Sequence, residues 1–303
     1  MQGGAEMRNW IMMVLAALCV SGVARAQDAP PTAEDLGAVV ALEFGVLYIP
    51  DTFAPDDAGQ IDLLVHFHGG LDILARAIDT HGLNAVMVHV SPGGLSSSYR
   101  VPFEEDDALW GRLLDAALAH VRARDDVAGD ADWRQVNLSS FSAGYGAVRE
   151  LLKREDAVAQ IDGIALCDTV YAGYVERDGA NVPNPAQVAP FTAFARLAGD
   201  AESGKTLVMT HSYLEPGPYA GTHEVAQAVV DAVGADDRAA DEEGPAGMRI
   251  VRRATLGRFE VFGVAGDDGP AHMVHLHTVG HWLAMLEWGA AEGAEGRRGR
   301  GAE

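Results

Sequence analysis

Along most of the chain, short apolar runs alternate with segments whose apolar positions recur every three or four residues. Residues 39–49 read as extended backbone, a hairpin or an edge strand. Residues 61–67, 85–90, 136–138, 161–167, 206–210 and 259–264 are near-continuous apolar runs, each ending on small or polar residues, the mark of strands buried on both faces. Between them, residues 108–124 place Leu109, Leu113, Leu114, Ala117, Leu118 and Val121 at helical spacing. Residues 145–155, 224–233 and 272–288 are the other helical segments. Buried strands alternating with helices predict an α/β fold, with a mostly parallel central sheet and helices on both faces. Residues 182–193 are too irregular for a strand or a clear helix and read as a lid-like insertion. Residues 235–247, acidic and glycine-bearing, read as an exposed loop.

The two ends have a different character. Arg8, an apolar stretch over residues 10–20, and Ala24-Arg25-Ala26 before Gln27 form the pattern of a cleaved secretory signal. Its apolar stretch is too short to span a bilayer. The expected mature protein starts after Ala26 and is secreted or periplasmic, with no stable membrane association once the signal is cleaved. Residues 27–36 read as an exposed leader and residues 37–288 as one domain. Residues 289–303 have no apolar face to bury and are expected to be disordered.

The 303 residues carry a formal net charge of −22. Losing Glu6, Arg8 and Arg25 with the signal makes the remainder more acidic by one. Such a surface repels nucleic acid and anionic membrane, and it mainly favours solubility. After the signal only Cys167 remains, so no internal disulfide can form, and the domain must depend on its core.

Chemistry concentrates in two places. Residues 136–138 lead into Ser140-Phe141-Ser142-Ala143-Gly144 and then a helical segment. This is the strand, sharp turn and helix of a nucleophile elbow with Ser142 at its apex. The turn needs small residues two before and two after the nucleophile, because strand and helix backbones nearly touch there. Gly144 satisfies that rule, while Ser140 stands where a glycine is usual. The second place is His68-Gly69-Gly70, just past the strand at 61–67, where open α/β sheets bind ligands. Glycines there let backbone N–H groups turn toward a developing oxyanion.

His68-Gly69-Gly70, the Ser140–Gly144 elbow and a histidine-rich C-terminal helix start together resemble the α/β-hydrolase superfamily over roughly residues 39–288. The resemblance implies an exported serine hydrolase, an esterase, using Ser142 as nucleophile, then an acid, then a histidine, in that chain order. It also implies an oxyanion hole from the N–H of Ala143 and one near Gly69 or Gly70. The histidine belongs after the last strand, where His272 at the loop–helix junction is favoured and His275 is the alternative. Asp168, directly at the end of the run 161–167, is favoured as the acid over Glu215. Asp267 or Asp268 could also pair locally with the histidine, or could cap the final helix. Tyr171, Tyr174, Phe191 and Tyr219 are candidates to line a substrate groove.

Two other readings compete. His66-Phe67-His68 begins like a zinc-hydrolase motif, but Gly70 and Leu71 stand where further ligands are needed. His277 and His281, four apart, could ligate zinc from one helical face. A non-catalytic relative acting as a binding module is the other reading. No organic cofactor is implied, since neither a G-x-G-x-x-G nor a P-loop pattern occurs. The expected substrate is a small-molecule or polysaccharide-linked ester, with no nucleic-acid partner.

Overall fold

The fold is built on strands that sort their side chains into two cores. The computed structural model describes residues 29–56 and 58–288, so the expected signal at 1–26 and tail at 289–303 lie outside the described residues. One compact unit from Pro31 onward holds every element that follows. In the strand Ile61–Phe67, Leu63, Val65 and Phe67 face one hydrophobic cluster, while Leu64 faces another. The same alternation separates Val86, Val88 and Val90 from Met87 in the neighbouring strand. Period-two alternation with both faces apolar is what a sheet covered on both sides requires.

In chain order the strands are β1 (Gly37–Ala41), β2 (Val46–Pro50), β3 (Ile61–Phe67), β4 (Val86–Val90), β5 (Trp133–Phe141), β6 (Gly163–Cys167), β7 (Tyr174–Arg177), β8 (Ala180–Pro183), β9 (Thr206–His211), β10 (Asp236–Glu243), β11 (Arg249–Leu256) and β12 (Phe259–Val264). Among the described residues ten of them form one sheet in the order β1-β2-β4-β3-β5-β6-β9-β12-β11-β10, and β7 and β8 form a separate hairpin. Strands β4, β3, β5, β6, β9 and β12 run parallel, and antiparallel pairs close both edges. This is an α/β-hydrolase fold, as expected.

The helices are α1 (Ala33–Leu36), α2 (Leu71–His81), α3 (Ser96–Glu105), α4 (Leu109–Arg122), α5 (Tyr145–Leu151), α6 (Glu155–Gln160), α7 (Pro185–Gly199), α8 (Thr222–Val233), α9 (Gly269–His277) and α10 (Val279–Leu283). Tyr99, Trp110, Leu113, Ala147, Phe191 and Val225, from five of these helices, join the cluster on one face. Leu74, Ile78, Val279 and Trp282, from α2 and α10, join the other.

Several expectations need correction. Residues 235–247 are not a loop: β10 pairs with β11 as the sheet's edge, and Arg252, Arg249 and Arg253 bond to Asp237, Asp241 and Glu242 across the pair. An acidic edge strand beside a basic neighbour gains its pairing from cross-strand charge, which intrinsic propensity does not reveal. Residues 182–193 contain the end of β8 and the start of α7, capped by the Asn184 side chain, which accepts from the Ala186 N–H. Within the leader, residues 29–32 are exposed, but Ala33 is buried and its N–H donates to Asp72 at 2.8 Å. The single helix expected over 272–288 is two helices, broken at Thr278.

Candidate active site

Strand β5 delivers Ser142 at the C-terminal edge of the parallel strands, and the backbone bends sharply there. Ser142 has φ +47°, in the left-handed region that costs an ordinary residue about 1–3 kcal/mol. A tight turn over Ser142–Gly144 leads directly into α5. A Cβ on Gly144 would lie 2.2 Å from the Phe67 carbonyl oxygen, so only glycine lets the turn pass the end of β3. Ser140, which departs from the glycine rule, is fully buried, and its hydroxyl bonds to Thr169 Oγ1 at 3.1 Å. The Thr169 hydroxyl in turn donates to the Ser142 carbonyl at 2.8 Å. The extra hydroxyl at Ser140 therefore ties the elbow to the loop after β6.

That loop begins with Asp168. Phe141 pairs with Cys167 across β5 and β6, so Ser142 and Asp168 leave adjacent strands at the same level. Asp168 is fully buried, with φ +45°. Its carboxylate accepts from the Ser212 N–H at 2.9 Å, the Ser212 hydroxyl at 2.7 Å, the Thr222 hydroxyl and His272 Nδ1 at 2.7 Å. Burial pushes this carboxyl toward the neutral acid. The His272 hydrogen bond, the nearby imidazoles of His275 and His272, and the Thr222 hydroxyl outweigh it and hold the group well below the usual carboxylate range. An ionised carboxylate only accepts, so His272 carries its proton on Nδ1 and leaves Nε2 as a potential acceptor.

His272 lies in the first turn of α9. Asp268 caps that helix, accepting from the Ala271 N–H at 2.9 Å, with Pro270 beside the cap. Asp268 is thus a helix cap, whereas Asp168 is the carboxylate bonded to the imidazole. The His272 ring stacks on Phe141 with centroids 4.5 Å apart, against the residue that immediately precedes Ser142. Among the described residues the Ser142 hydroxyl makes no side-chain hydrogen bond. Such bonds are often long in unliganded sites and tighten with substrate.

The alternatives sit elsewhere. His275 is fully buried and bonds through Nδ1 to Thr210 Oγ1 at 2.7 Å. Burial lowers it to about 4. Glu215 is exposed, and among the described residues it bonds to neither histidine. His277 ends α9 and His281 lies in α10, so no single helical face presents them as a pair. His66 has both ring nitrogens engaged, with Ser139 Oγ and the His68 carbonyl. Among the described residues no group of three or more His, Cys, Asp or Glu side chains is placed to hold a metal ion. Of the proposed groove residues, Phe191 is buried in the core and Tyr174 donates to Glu224 at 2.8 Å. Tyr171 and Tyr219 make an edge-on pair with centroids 5.6 Å apart, and Tyr219 stays exposed.

The His68-Gly69-Gly70 loop follows β3, the strand next to β5. His68 and Gly69 have φ of +71° and +119°, and Gly70 precedes α2 as its N-cap. The His68 ring shares a 2.5 Å hydrogen bond with the Tyr99 hydroxyl and stacks against Phe141 at 6.0 Å. Phe141 therefore touches both His68 and His272, bringing the glycine loop and the Asp168–His272 pair to the two flanks of the elbow. Ser212, Thr222 and Thr169, which hold Asp168 and the elbow, have no motif around them in the sequence. Only their positions at a strand end, a helix start and next to Asp168 mark them.

No protein-family model matches the chain, and no curated protein matches it. Solved structures with a similar course of chain include an uncharacterised protein from Capnocytophaga ochracea, at 9% identity and TM-score 0.47. That likeness covers 79% of this chain and 59% of the other, so this chain spans less than two thirds of its length. Est1E from Butyrivibrio proteoclasticus is 11% identical with TM-score 0.38, over 82% of this chain and 96% of that one. The siderophore hydrolase EstB from Aspergillus nidulans is 15% identical with TM-score 0.42, over 84% and 99%.

Proposed function

We propose that this protein is a serine hydrolase that cleaves a carboxylic ester through an acyl-enzyme on Ser142. The observation that carries this reading is the 2.7 Å bond from His272 Nδ1 to the buried, ionised Asp168, on a ring packed beside the elbow serine. Asp168 holds the imidazole in the tautomer with a free Nε2. In the reaction, Nε2 takes the Ser142 proton as Oγ attacks the acyl carbonyl, then gives it to the leaving alkoxide. Water enters by the same route in reverse and releases the acid. The oxyanion is received by the N–H of Ala143 and by those of Gly69 and Gly70, each such donor being worth roughly 3 kcal/mol in the transition state. The protein acts after export, on a small or carbohydrate-linked ester. Export rests on the signal pattern of residues 1–26, and the acidic surface suits a soluble product.

The test is labelling by a fluorophosphonate probe, comparing mature protein with Ser142→Ala. Labelling that vanishes in the variant, followed by turnover of short acyl esters, supports the reading. A folded wild-type protein that does not label overturns it and favours a binding module on the same fold.

A further inference from the structure

We propose that His66 and His89 are positioning residues that aim the N–H groups of Gly69 and Gly70 at the site above Ser142. This inference rests on the serine-hydrolase reading and deepens it. The two histidines are cross-strand partners in β3 and β4, and His66 also pairs with Ser139 in β5. Three side chains therefore form one row across adjacent strands, just below the glycine loop. The imidazoles lie parallel, centroids 5.9 Å apart and planes within 5°. His66 Nε2 lies 2.6 Å from the His68 carbonyl oxygen, and His89 Nε2 lies 3.1 Å from the Gly69 carbonyl oxygen.

A carbonyl oxygen can only accept, so both rings must carry their proton on Nε2. His66 Nδ1 is then an acceptor, and the Ser139 hydroxyl 2.5 Å away donates to it, fixing the same tautomer from the other side. Burial keeps both rings neutral, lowering His66 to about 3 and His89 to about 4. A neutral ring offers one donor only, and each spends it on a loop carbonyl.

The consequence follows from peptide geometry. In a trans peptide the C=O of one residue and the N–H of the next point in opposite directions, and the described chain has no cis bond. Holding the His68 carbonyl down toward His66 turns the Gly69 N–H up. Holding the Gly69 carbonyl toward His89 does the same for the Gly70 N–H. In extended chain successive carbonyls alternate sides, and it is the positive φ of His68 and Gly69 that lets both fall on the histidine side. Among the described residues neither of the two N–H groups is bonded to another backbone carbonyl. The same two donors also hold a backbone strained at His68 by its left-handed φ.

The experiment compares wild type, His89→Leu and His89→Gln on p-nitrophenyl acetate, with 15N spectra of the wild-type imidazoles at neutral pH. Leucine keeps bulk but removes the donor, while glutamine restores an amide N–H at similar reach. The expected result is a loss of about 10- to 100-fold in kcat for His89→Leu with KM nearly unchanged, and recovery to within about 3-fold in His89→Gln. The spectra should show Nε2–H on both His66 and His89. Unchanged kcat in a folded His89→Leu, or Nδ1–H on either ring, overturns the proposal. The spectra decide it even if the leucine variant does not fold. A wild type whose Ser142 neither labels nor turns over the ester overturns the serine reading and this inference with it. A wild type that labels while His89→Leu keeps its kcat overturns the inference alone.

Discussion

His272 donates from Nδ1 to Asp168 Oδ2 across 2.7 Å, joining residues 104 positions apart in the chain. Strand order makes the meeting possible: β6, which ends just before Asp168, and β12, which leads to His272, flank β9 in the sheet. Ser212 and Thr222, which also bond to Asp168, come from the end of β9 and the start of α8. The carboxylate is thus held by three hydrogen bonds from two residues besides that of the imidazole.

Replacing Asp168 with Asn puts an amide where only acceptors fit and removes the group that selects the Nδ1–H tautomer. Ester turnover should fall by about 10³- to 10⁴-fold, with Ser142 still slowly labelled by fluorophosphonate. Turnover within 10-fold of wild type would show that another acid serves His272.

The two candidate histidines separate in the same assay. His272→Ala should lose about 10³-fold or more in kcat, because His272 is the imidazole that both bonds to Asp168 and packs on Phe141 beside the elbow. His275→Gln, which can keep a bond to Thr210, should stay within about 10-fold in kcat while lowering the denaturation midpoint. The reverse pattern would reassign the base to His275.

Gly144→Ala tests the elbow's close approach. Its Cβ would sit 2.2 Å from the Phe67 carbonyl, a backbone atom that cannot rotate away. The expected cost is about 3 kcal/mol in urea unfolding, with loss of labelling. A variant as stable as wild type would mean that the turn shifts freely.

Four buried histidines make the fold acid-sensitive. Burial lowers His66 and His211 to about 3 and His89 and His275 to about 4, against an ordinary value near 6.5. Below pH 6.5 the unfolded chain takes up protons that these folded rings refuse, so stability falls as pH drops from about 6.5 toward 4. Each ring contributes a slope of at most about 1.4 kcal/mol per pH unit. Asp168, depressed in the fold, adds a contribution present above about 3.9 and lost as pH falls below that value. Urea midpoints at pH 7, 6, 5 and 4 measure this, and a flat profile down to pH 4.5 would contradict it.

Ser140→Gly restores the usual elbow glycine but removes the bond to Thr169. We expect a loss of about 1–2 kcal/mol in stability, from the lost bond and the added backbone freedom, with labelling of Ser142 retained. Unchanged stability would leave Ser140 a mere tolerated substitution.

What was legible in the sequence was whatever depends on neighbours along the chain. The elbow is a local steric problem, so Ser142 and Gly144 reveal it without a partner. The apolar runs reveal β3, β5, β6, β9 and β12 because strands buried on both faces must be apolar throughout. Strand β10 was hidden because its acidic side chains draw stability from arginines of β11, a partner that propensity does not see. Chain order and the loop–helix junction already favour Asp168 over Glu215 and His272 over His275, but the bond between the two residues exists only in the fold. An imidazole finds its carboxylate only when strand order and a helix start bring both to one edge, and the alternation of strands into two cores says nothing about which loop ends meet there. The same holds for His66, which in sequence begins a zinc-like motif, and His89, which lies in an apolar run: they become a stacked pair under the glycine loop only when β3 and β4 are laid side by side.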